Sequence, residues 1–349
     1  MAITSFEALP SSNITTTRTL LHESIPLTGA ILSGTYSDNN IKNYTHGQFQ
    51  SVYDYPYLSS SANHIIDLSI GFDESSSLSG SSGAVLETKK INMYNQFSQV
   101  LLGYTGSTNA VRKFELDLAL DETAGQVMRE SFFLNFSRLI TKDQIKKGTV
   151  SLILGTGSWA NPFSLTRTLH DISASDSGQT LNTVGGDYGL LYESGSNNVV
   201  RGLVFYQAGI VALSTSSFSA SAGFVTDFYS ASAGTSSVED MFISSSITAS
   251  CDALRHRVQN ISFNNTTEIN STIYFCRVPH NKYNHSANPT YLSASTIRVK
   301  SVNTDTPVAY ITTVGLYSSD NQLMAMAKLS EPLKKDPSNE ITLRVRLDY

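Results

Sequence analysis

Hydrophobic and polar residues alternate along several segments of this chain, which is the pattern of a strand with one buried face. In residues 65–72, Ile66, Leu68 and Ile70 alternate with polar or small residues, and residues 113–120 alternate as clearly. Further strand-like stretches lie at 132–140, 149–154, 199–206, 272–278, 295–302, 308–316, 322–329 and 340–348. The pattern predicts a mainly β fold of antiparallel β-sandwich-like domains, with one principal helix and long loops or arms.

One segment has helical periodicity instead. Its large side chains recur at spacings of three and four residues: Tyr94, Phe97, Leu101 and Tyr104. This spacing predicts a helix over residues 89–102, with Gly103 as the residue that ends it. A short helical turn is also expected where Thr141 and Gln144 form a Thr-x-x-Gln capping box.

The C-terminal region predicts a hairpin. Residues 318–321 are polar and separate two alternating segments, so they are expected to form its tip. The final segment, 340–348, has one apolar and one polar face. We expect it to share one sheet with the two hairpin strands.

Shifts in composition divide the chain into four parts. Residues 1–60 lack periodicity and predict an extended arm, disordered in an isolated monomer and ordered against other chains. Residues 61–160 predict a β-rich domain with the principal helix. Residues 161–250, rich in serine, alanine and glycine, predict a β insertion, and residues 251–349 a C-terminal β domain.

Composition and charge exclude several classes of partner. Charged residues make up only 15% of the 349 residues and the formal net charge is −5, which argues against a nucleic-acid-binding surface. No apolar run reaches the ~18 residues of a membrane span, and no signal peptide is recognisable at the start. Without export, Cys251 and Cys276 are expected to be buried free thiols.

The sequence predicts no catalytic, cofactor-binding or metal site. Gly155, Thr156 and Gly157 imitate the start of a dinucleotide-binding loop, but no helix–strand alternation surrounds them, so a β-turn is favoured. Cys276, His280 and His285 could coordinate zinc, but a fourth ligand is missing nearby. No pair of carboxylates stands out as an acid–base couple.

Two groups of residues are candidates for protein–protein contacts. Phe49, Tyr53, Tyr55 and Tyr57 supply rigid aromatic rings, which suit an interface better than a sugar-stacking ridge. Asn264, Asn265 and Asn270 lie in a segment rich in amides and hydroxyls, which is expected to be a polar loop or interface.

Five phrases of the sequence are together similar to virion structural proteins of tailed bacteriophages, particularly large marine myovirus-type phages. They are VYDYPYLSSSANH at 52–64, LRHRVQN at 254–260, FNNTTEINSTIYFCR at 263–277, YITTVGLY at 310–317 and LMAMAKLSEP at 323–332. The resemblance implies a non-enzymatic virion component, assembled in the host cytoplasm.

The phrase at 310–317 with that at 323–332 also resembles a hairpin of phage tail and tail-fibre proteins. This likeness favours the tail, neck or baseplate. The implied partners are other virion proteins and further copies in a ring or symmetric vertex. A capsid decoration protein and a receptor- or carbohydrate-binding fibre protein are the alternatives.

Overall fold

The computed structural model describes residues 7–32, 39–80, 84–106, 108–123, 125–175, 179–195, 199–218, 237–286, 290–294, 296–297, 302 and 304–349. The chain forms two compact units. Unit 1 consists of Met1–Leu20 with Glu268–Tyr349, and unit 2 consists of Leu21–Thr267. This division differs from the four consecutive parts expected from composition, because residues from both ends of the sequence belong to unit 1.

Strands predominate and pair in antiparallel fashion, which confirms the mainly β fold class. The described helices are α1 (Gly29–Leu32), α2 (Ala84–Leu101), α3 (Arg138–Thr141), α4 (Val238–Ser244) and α5 (Ile247–Arg257). The described strands are β1 (Ile14–Leu21), β2 (Ser24–Thr28), β3 (Ile41–Asn43), β4 (Gln50–Tyr53), β5 (His64–Phe72), β6 (Phe114–Glu115), β7 (Val127–Met128), β8 (Glu130–Phe136), β9 (Gln144–Ile145), β10 (Ser151–Gly155), β11 (Thr166–His170), β12 (Leu181–Thr183), β13 (Gly186–Glu193), β14 (Val200–Phe205), β15 (Ile210–Ser214), β16 (Val258–Val278), β17 (Leu292–Ser293), β18 (Thr296–Ile297), β19 (Ala309–Tyr317), β20 (Leu323–Lys335) and β21 (Ile341–Asp348).

Unit 2 contains one large antiparallel sheet. From the first part of β16 its order is β16, β10, β11, β13, β14, β15, β8, β5, β4 and β3. Val211 of β15 pairs with Leu134 of β8, and Leu134 pairs on its other side with Leu68 of β5. β8 is therefore an interior strand of this sheet.

Side chains pack on both faces of the sheet at β8. Phe132 and Phe133 are successive residues, so they point to opposite faces. The Phe132 ring lies 4.9 Å from the Phe242 ring of α4, whereas the Phe133 ring stacks on Phe97 of α2 at 4.2 Å. The two phenylalanines belong to separate buried clusters. Burial on both faces explains why three successive residues of β8, 132–134, are apolar.

The principal helix, α2, is confirmed with a shifted start. It begins at Ala84, five residues before the expected 89–102 segment. Gly103 ends it as predicted: its φ is +79°, and its N–H donates to the Ser98 carbonyl at 3.1 Å. α2 lies close against β5, because a Cβ on Gly71 would be 2.6 Å from a backbone oxygen of the helix.

Most predicted strands are confirmed with small changes of boundary. The segments at 65–72, 149–154, 199–206, 272–278, 308–316, 322–329 and 340–348 fall within or across β5, β10, β14, β16, β19, β20 and β21. The segment at 132–140 is a strand only as far as Phe136. The predicted strand at 295–302 lies mostly outside the described residues.

Three local predictions are wrong. α5 continues to Arg257, inside the C-terminal β domain that was expected from Cys251 onward. The strand expected over 113–120 contains only two strand residues, those of β6. The helical turn α3 begins after the cap residue Ser137, and Thr141 is its last residue rather than its cap. In each case a short local pattern is overridden by packing with distant parts of the chain.

β3 and β4 belong to the sheet of unit 2, and β2 pairs with β16, so the predicted arm is wrong for residues 24–28 and 41–53. β3 pairs with β4, and β4 pairs with β5. β3 and β4 contain three and four residues, which is too short for alternation to be recognised in the sequence.

A buried arginine fastens this segment to the helices of unit 2. Arg255 of α5 is 1% exposed. Its Nε donates to Oε1 of Gln50 and its Nη1 to the carbonyl of Leu32, both at 2.7 Å. Its Nη2 pairs with Asp252, whose carboxylate also accepts from Nε2 of Gln50 at 2.8 Å. The network joins α5 to β4 and α1.

The predicted insertion at 161–250 supplies the middle of the sheet instead. β11, β13, β14 and β15 lie between β10 and β8 in the strand order. Their apolar side chains, such as Leu191, Leu203 and Leu213, are buried. The serine-rich runs that suggested an insertion lie largely at 219–236, outside the described residues.

Unit 1 is built from small sheets. β21 pairs with the last part of β16, from Ser271 with Asp348 to Val278 with Ile341. β1 also pairs with β16. β19 and β20 form a two-stranded sheet of their own, and so do β17 and β18.

The C-terminal hairpin is confirmed, but its predicted sheet is wrong. At the tip, the Ser318 N–H donates to the Gln322 carbonyl at 2.9 Å, and Asn321 has a φ of +59°. β21 has the predicted alternation, with its apolar side chains less exposed than its polar ones. It pairs with β16, however, and not with the hairpin. Periodicity identifies the faces of a strand but not its neighbours.

The base of the hairpin is fixed by a buried lysine. The ammonium group of Lys335 donates to the carbonyl of His280 at 3.2 Å, to Oδ1 of Asn284 at 2.6 Å and to the carbonyl of Asp336 at 2.8 Å. All three ammonium donors are therefore used.

A second buried lysine links two helices of unit 2. Lys90 of α2 is fully buried, and its ammonium group donates to the carbonyl of Phe242 and, at 3.3 Å, to that of Ile243 in α4. Burial lowers the pKa of Lys90 to about 8, because the charged form loses its hydration.

We expect Lys90→Met to remove a pH dependence of stability. Because the pKa of Lys90 is about 8 in the folded chain and 10.5 ordinarily, the folded chain binds fewer protons between these values. From about pH 7.5 to about pH 10, the free energy of unfolding of the wild type should therefore rise by about 1–3 kcal/mol relative to the variant. Urea unfolding of both proteins at both pH values measures this. A stability difference between wild type and variant that is the same at both pH values would contradict it.

Candidate protein interface

An aromatic cluster lies on the β3–β4 hairpin of unit 2. The rings of Tyr44, His46 and Phe49 have centroids 4.8–5.2 Å apart. Nζ of Lys42 lies 4.8 Å from the centre of the Tyr44 ring. Phe49, a predicted interface residue, is half-buried in this cluster. Its ring helps to hold the hairpin in shape.

The three predicted interface tyrosines follow this hairpin, and we call them the tyrosine surface: Tyr53, Tyr55 and Tyr57. Tyr53 is half-buried, with its ring 6.3 Å from that of Tyr57. Tyr55 is 52% and Tyr57 36% exposed, and the adjacent Leu58 is 86% exposed. The N–H of Tyr57 donates to the Asn39 carbonyl at 2.9 Å. The surface therefore combines exposed apolar groups with an anchored backbone, as an interface requires.

The three predicted asparagines lie in β16, so the expected polar loop is wrong. Asn265 is fully buried. Its Oδ1 accepts from the Glu23 N–H at 3.0 Å, and its Nδ2 donates to the Ile140 carbonyl at 2.9 Å. Asn264 and Asn270 are half-buried. Asn265 thus bonds the backbone of its own chain and has no surface to offer a partner.

The backbone amides of the loop at 155–157 are hydrogen-bonded to other residues of the same chain. The N–H of Thr156 donates to the carbonyl of Leu165 at 2.8 Å, and the N–H of Gly157 donates to that of Pro162 at 2.9 Å. The carbonyls of Gly155 and Gly157 accept from Nη1 of Arg257 at 3.0 and 2.9 Å. A phosphate site needs amides that point at the ligand. Gly155 is the last residue of β10, and these hydrogen bonds close the loop between β10 and β11.

Asp171 and Tyr206 form a buried polar cluster in unit 2. The Asp171 carboxylate accepts from the N–H groups of Gly148 and Val150, each at 2.8 Å, and from the Tyr206 hydroxyl at 3.0 Å. Burial raises the pKa of Asp171, against these hydrogen bonds, which favour the carboxylate. Burial also raises the pKa of Tyr206. The cluster fixes the turn before β10.

The residues considered for zinc have other neighbours. Cys276 lies in β16 opposite Leu343, and Nδ1 of the exposed His280 is 3.5 Å from Oε1 of Glu340. In the described ranges, no group of three or more His, Cys, Asp or Glu side chains is arranged to hold a metal ion. Both cysteines are free. Burial raises the pKa of the Cys251 thiol, whereas Cys276 is only half-buried.

A surface cavity of about 390 Å³ lies in unit 2, lined by Gly29, Ala30, Phe163, His256, Val258 and Gln259. Nε2 of His256 is 3.1 Å from the carbonyl oxygen of Trp159, and the two rings are 4.3 Å apart. Burial lowers the pKa of His256. His256 is the one titratable residue of the lining, so the cavity contains no acid–base pair.

The hairpin of unit 1 exposes apolar side chains that sequence analysis did not assign to an interface. We call Leu323, Met324, Met326 and Lys328 the methionine face. The first three are 53%, 70% and 59% exposed. Met326 pairs with Gly315, whose missing side chain leaves room for Leu323. The alternation of methionine and alanine in residues 323–327 was a usable signal.

The described helices include none long and apolar enough to cross a membrane. The chain matches no protein-family model, no curated protein and no solved structure.

Proposed function

We propose that this chain is a non-enzymatic structural subunit of a protein assembly, and that the assembly is the virion of a tailed bacteriophage. The role in an assembly is supported by the exposed apolar surface of unit 1. The virion is supported by the resemblance of five sequence phrases to virion structural proteins.

The observation that carries the proposal is the small core of unit 1. Among the described residues of this unit, the apolar side chains that are less than a tenth exposed are Val278, Val308, Ala309, Leu316 and Val345. The exposed large apolar side chains of the same described residues outnumber these buried ones: Ile14, Leu20, Tyr283, Val302, Tyr310, Tyr317, Leu323, Met324, Met326, Leu333 and Tyr349. A domain is stabilised by buried apolar area, so this unit needs a neighbouring chain to complete its core.

The hairpin adds to this argument. A two-stranded sheet is at best marginally stable in water. β19 and β20 pair with each other and with no further described strand. Contiguous exposed apolar surface of this kind is typical of an interaction site.

We expect the double variant Met324→Asp/Met326→Asp to weaken self-assembly by about tenfold or more, because it places two charges in the buried part of a contact. Size-exclusion chromatography with light scattering over a range of concentrations measures the mass in solution. The matched control is Val85→Asp/Leu139→Asp, which removes exposed apolar residues from unit 2. A monomeric wild type, or equal assembly of the two double variants, would contradict the proposal.

Within the particle we assign the chain to the tail, neck or baseplate region, among other virion proteins and further copies of itself. Mass spectrometry of purified virions tests this assignment. The protein should be found in the particles and not only in the lysate of infected cells. Binding of the isolated chain to host glycans through Tyr55 and Tyr57 would favour the receptor-binding alternative instead.

A further inference from the structure

We infer that the methionine face of one copy docks on unit 2 of a second copy, at the C-terminal end of helix α2. This inference rests on the proposed function and specifies its partner and contact. It is argued from a second exposed apolar patch and from the charges of the two units.

The second patch consists of Val100, Tyr104 and Val184, and we call it the helix-end patch. These side chains are 64%, 54% and 76% exposed. They are brought together because the Gly185 N–H donates to the Leu101 carbonyl at 2.9 Å. In addition, a Cβ on Gly103 would be 2.9 Å from the Val184 side chain. Three large apolar groups thus surround the end of α2.

Carboxylates lie at the edge of the helix-end patch. Arg112 donates through Nε to the Tyr104 carbonyl at 3.1 Å and through Nη1 to the Leu120 carbonyl at 3.0 Å. This bridge holds the next two residues, Asp121 and Glu122, near the patch, and both are exposed. Hydrogen bonds from Thr123 lower the pKa of Asp121 from its ordinary value, which is already well below neutral pH.

Charge complementarity selects unit 2 of a second copy as the partner of the methionine face. Unit 1 has ten Lys or Arg residues and eight Asp or Glu residues, which gives a net charge of +2. Unit 2 has 14 Lys or Arg residues and 21 Asp or Glu residues, which gives a net charge of −7. Contact between two copies of unit 1 brings like charges together, and so does contact between two copies of unit 2. A contact of unit 1 with unit 2 is the arrangement with opposite charges.

The local charges agree with this choice. Lys328 lies on the methionine face, and Asp121 lies at the edge of the helix-end patch, beside Glu122, whose Oε2 is 3.9 Å from Nζ of Lys113. Each copy has one methionine face and one helix-end patch, so it can contact one copy through the first surface and another copy through the second. Such a heterologous contact links copies head to tail, into a ring or a filament.

Cysteine cross-linking between two variants of the full chain tests the contact. Both variants contain Cys276→Ser, one adds Met326→Cys and the other Val184→Cys, and one has a size tag. The two are mixed and oxidised with copper phenanthroline. We expect about tenfold more disulfide-linked dimer in the mixture than in either variant alone, because only the mixture places two cysteines at one contact. Asp121→Lys/Glu122→Lys should reduce this yield, and Lys328→Glu on the other copy should restore it.

The controls separate this inference from the proposed function. If Met326→Cys alone forms the dimer, hairpins contact each other and the head-to-tail contact is wrong, while assembly stands. If the wild type assembles but the mixture gives no excess of cross-linked dimer, the assigned contact is wrong. If light scattering shows a monomer at all concentrations, the proposed function is wrong as well.

Discussion

Replacing Arg255 by methionine is expected to lower the free energy of unfolding of unit 2 by about 3–5 kcal/mol. The substitution leaves the buried acceptors on Gln50 and Leu32 without their guanidinium donor, and the half-buried carboxylate of Asp252 loses its cation. Each buried acceptor left without a donor costs about 1–3 kcal/mol, because it has already given up its hydration.

Urea unfolding followed by tryptophan fluorescence measures this effect, since the one tryptophan, Trp159, belongs to unit 2. Arg138→Met is the control, because Arg138 is exposed, and its effect should stay within about 0.5 kcal/mol. A loss below about 1 kcal/mol for Arg255→Met would show that this network does not hold β4 to the helices.

The second large effect is expected for Asp171→Ala, at about 3–5 kcal/mol. The carboxylate is fully buried and accepts from two backbone N–H groups and the Tyr206 hydroxyl. Alanine leaves these donors without partners where water does not reach them. The same unfolding experiment applies, with the exposed Glu74→Ala as the control. Equal stabilities of the two variants would mean that other groups hold the turn before β10.

Local alternation predicted strands well where the two faces differ in burial. β21 shows this, because its apolar side chains are less exposed than its polar ones. β5 is largely buried on both faces and was recognised only because apolar residues occupy every second position. Local alternation failed where contacts between distant residues decide the structure. Gln50 and Arg255 are 205 residues apart, and nothing local marks β4 as part of a sheet. α5 was also missed, although Ile247, Cys251 and Leu254 recur at helical spacing.

The candidate interface was predictable only in part. Tyr55 and Tyr57 are exposed, as an interface requires, since turn residues beside short strands remain at the surface. Asn265 is as polar as its sequence neighbours, yet it is fully buried. Burial is tolerated because its side chain bonds two backbone groups, the N–H of Glu23 and the carbonyl of Ile140. Composition does not distinguish a buried amide from an exposed one. The exposure of the methionine face depends on which strands cover the hairpin, and this is a property of the whole fold.

Amide hydrogen exchange of the full chain at low and high protein concentration tests the central claim, that unit 1 is completed by neighbouring chains. We predict that protection of β19 and β20 increases with concentration, because assembly covers the hairpin. Protection of β8, inside the sheet of unit 2, should stay the same at both concentrations. Full protection of the hairpin in the monomer, with no change on concentration, would contradict the account.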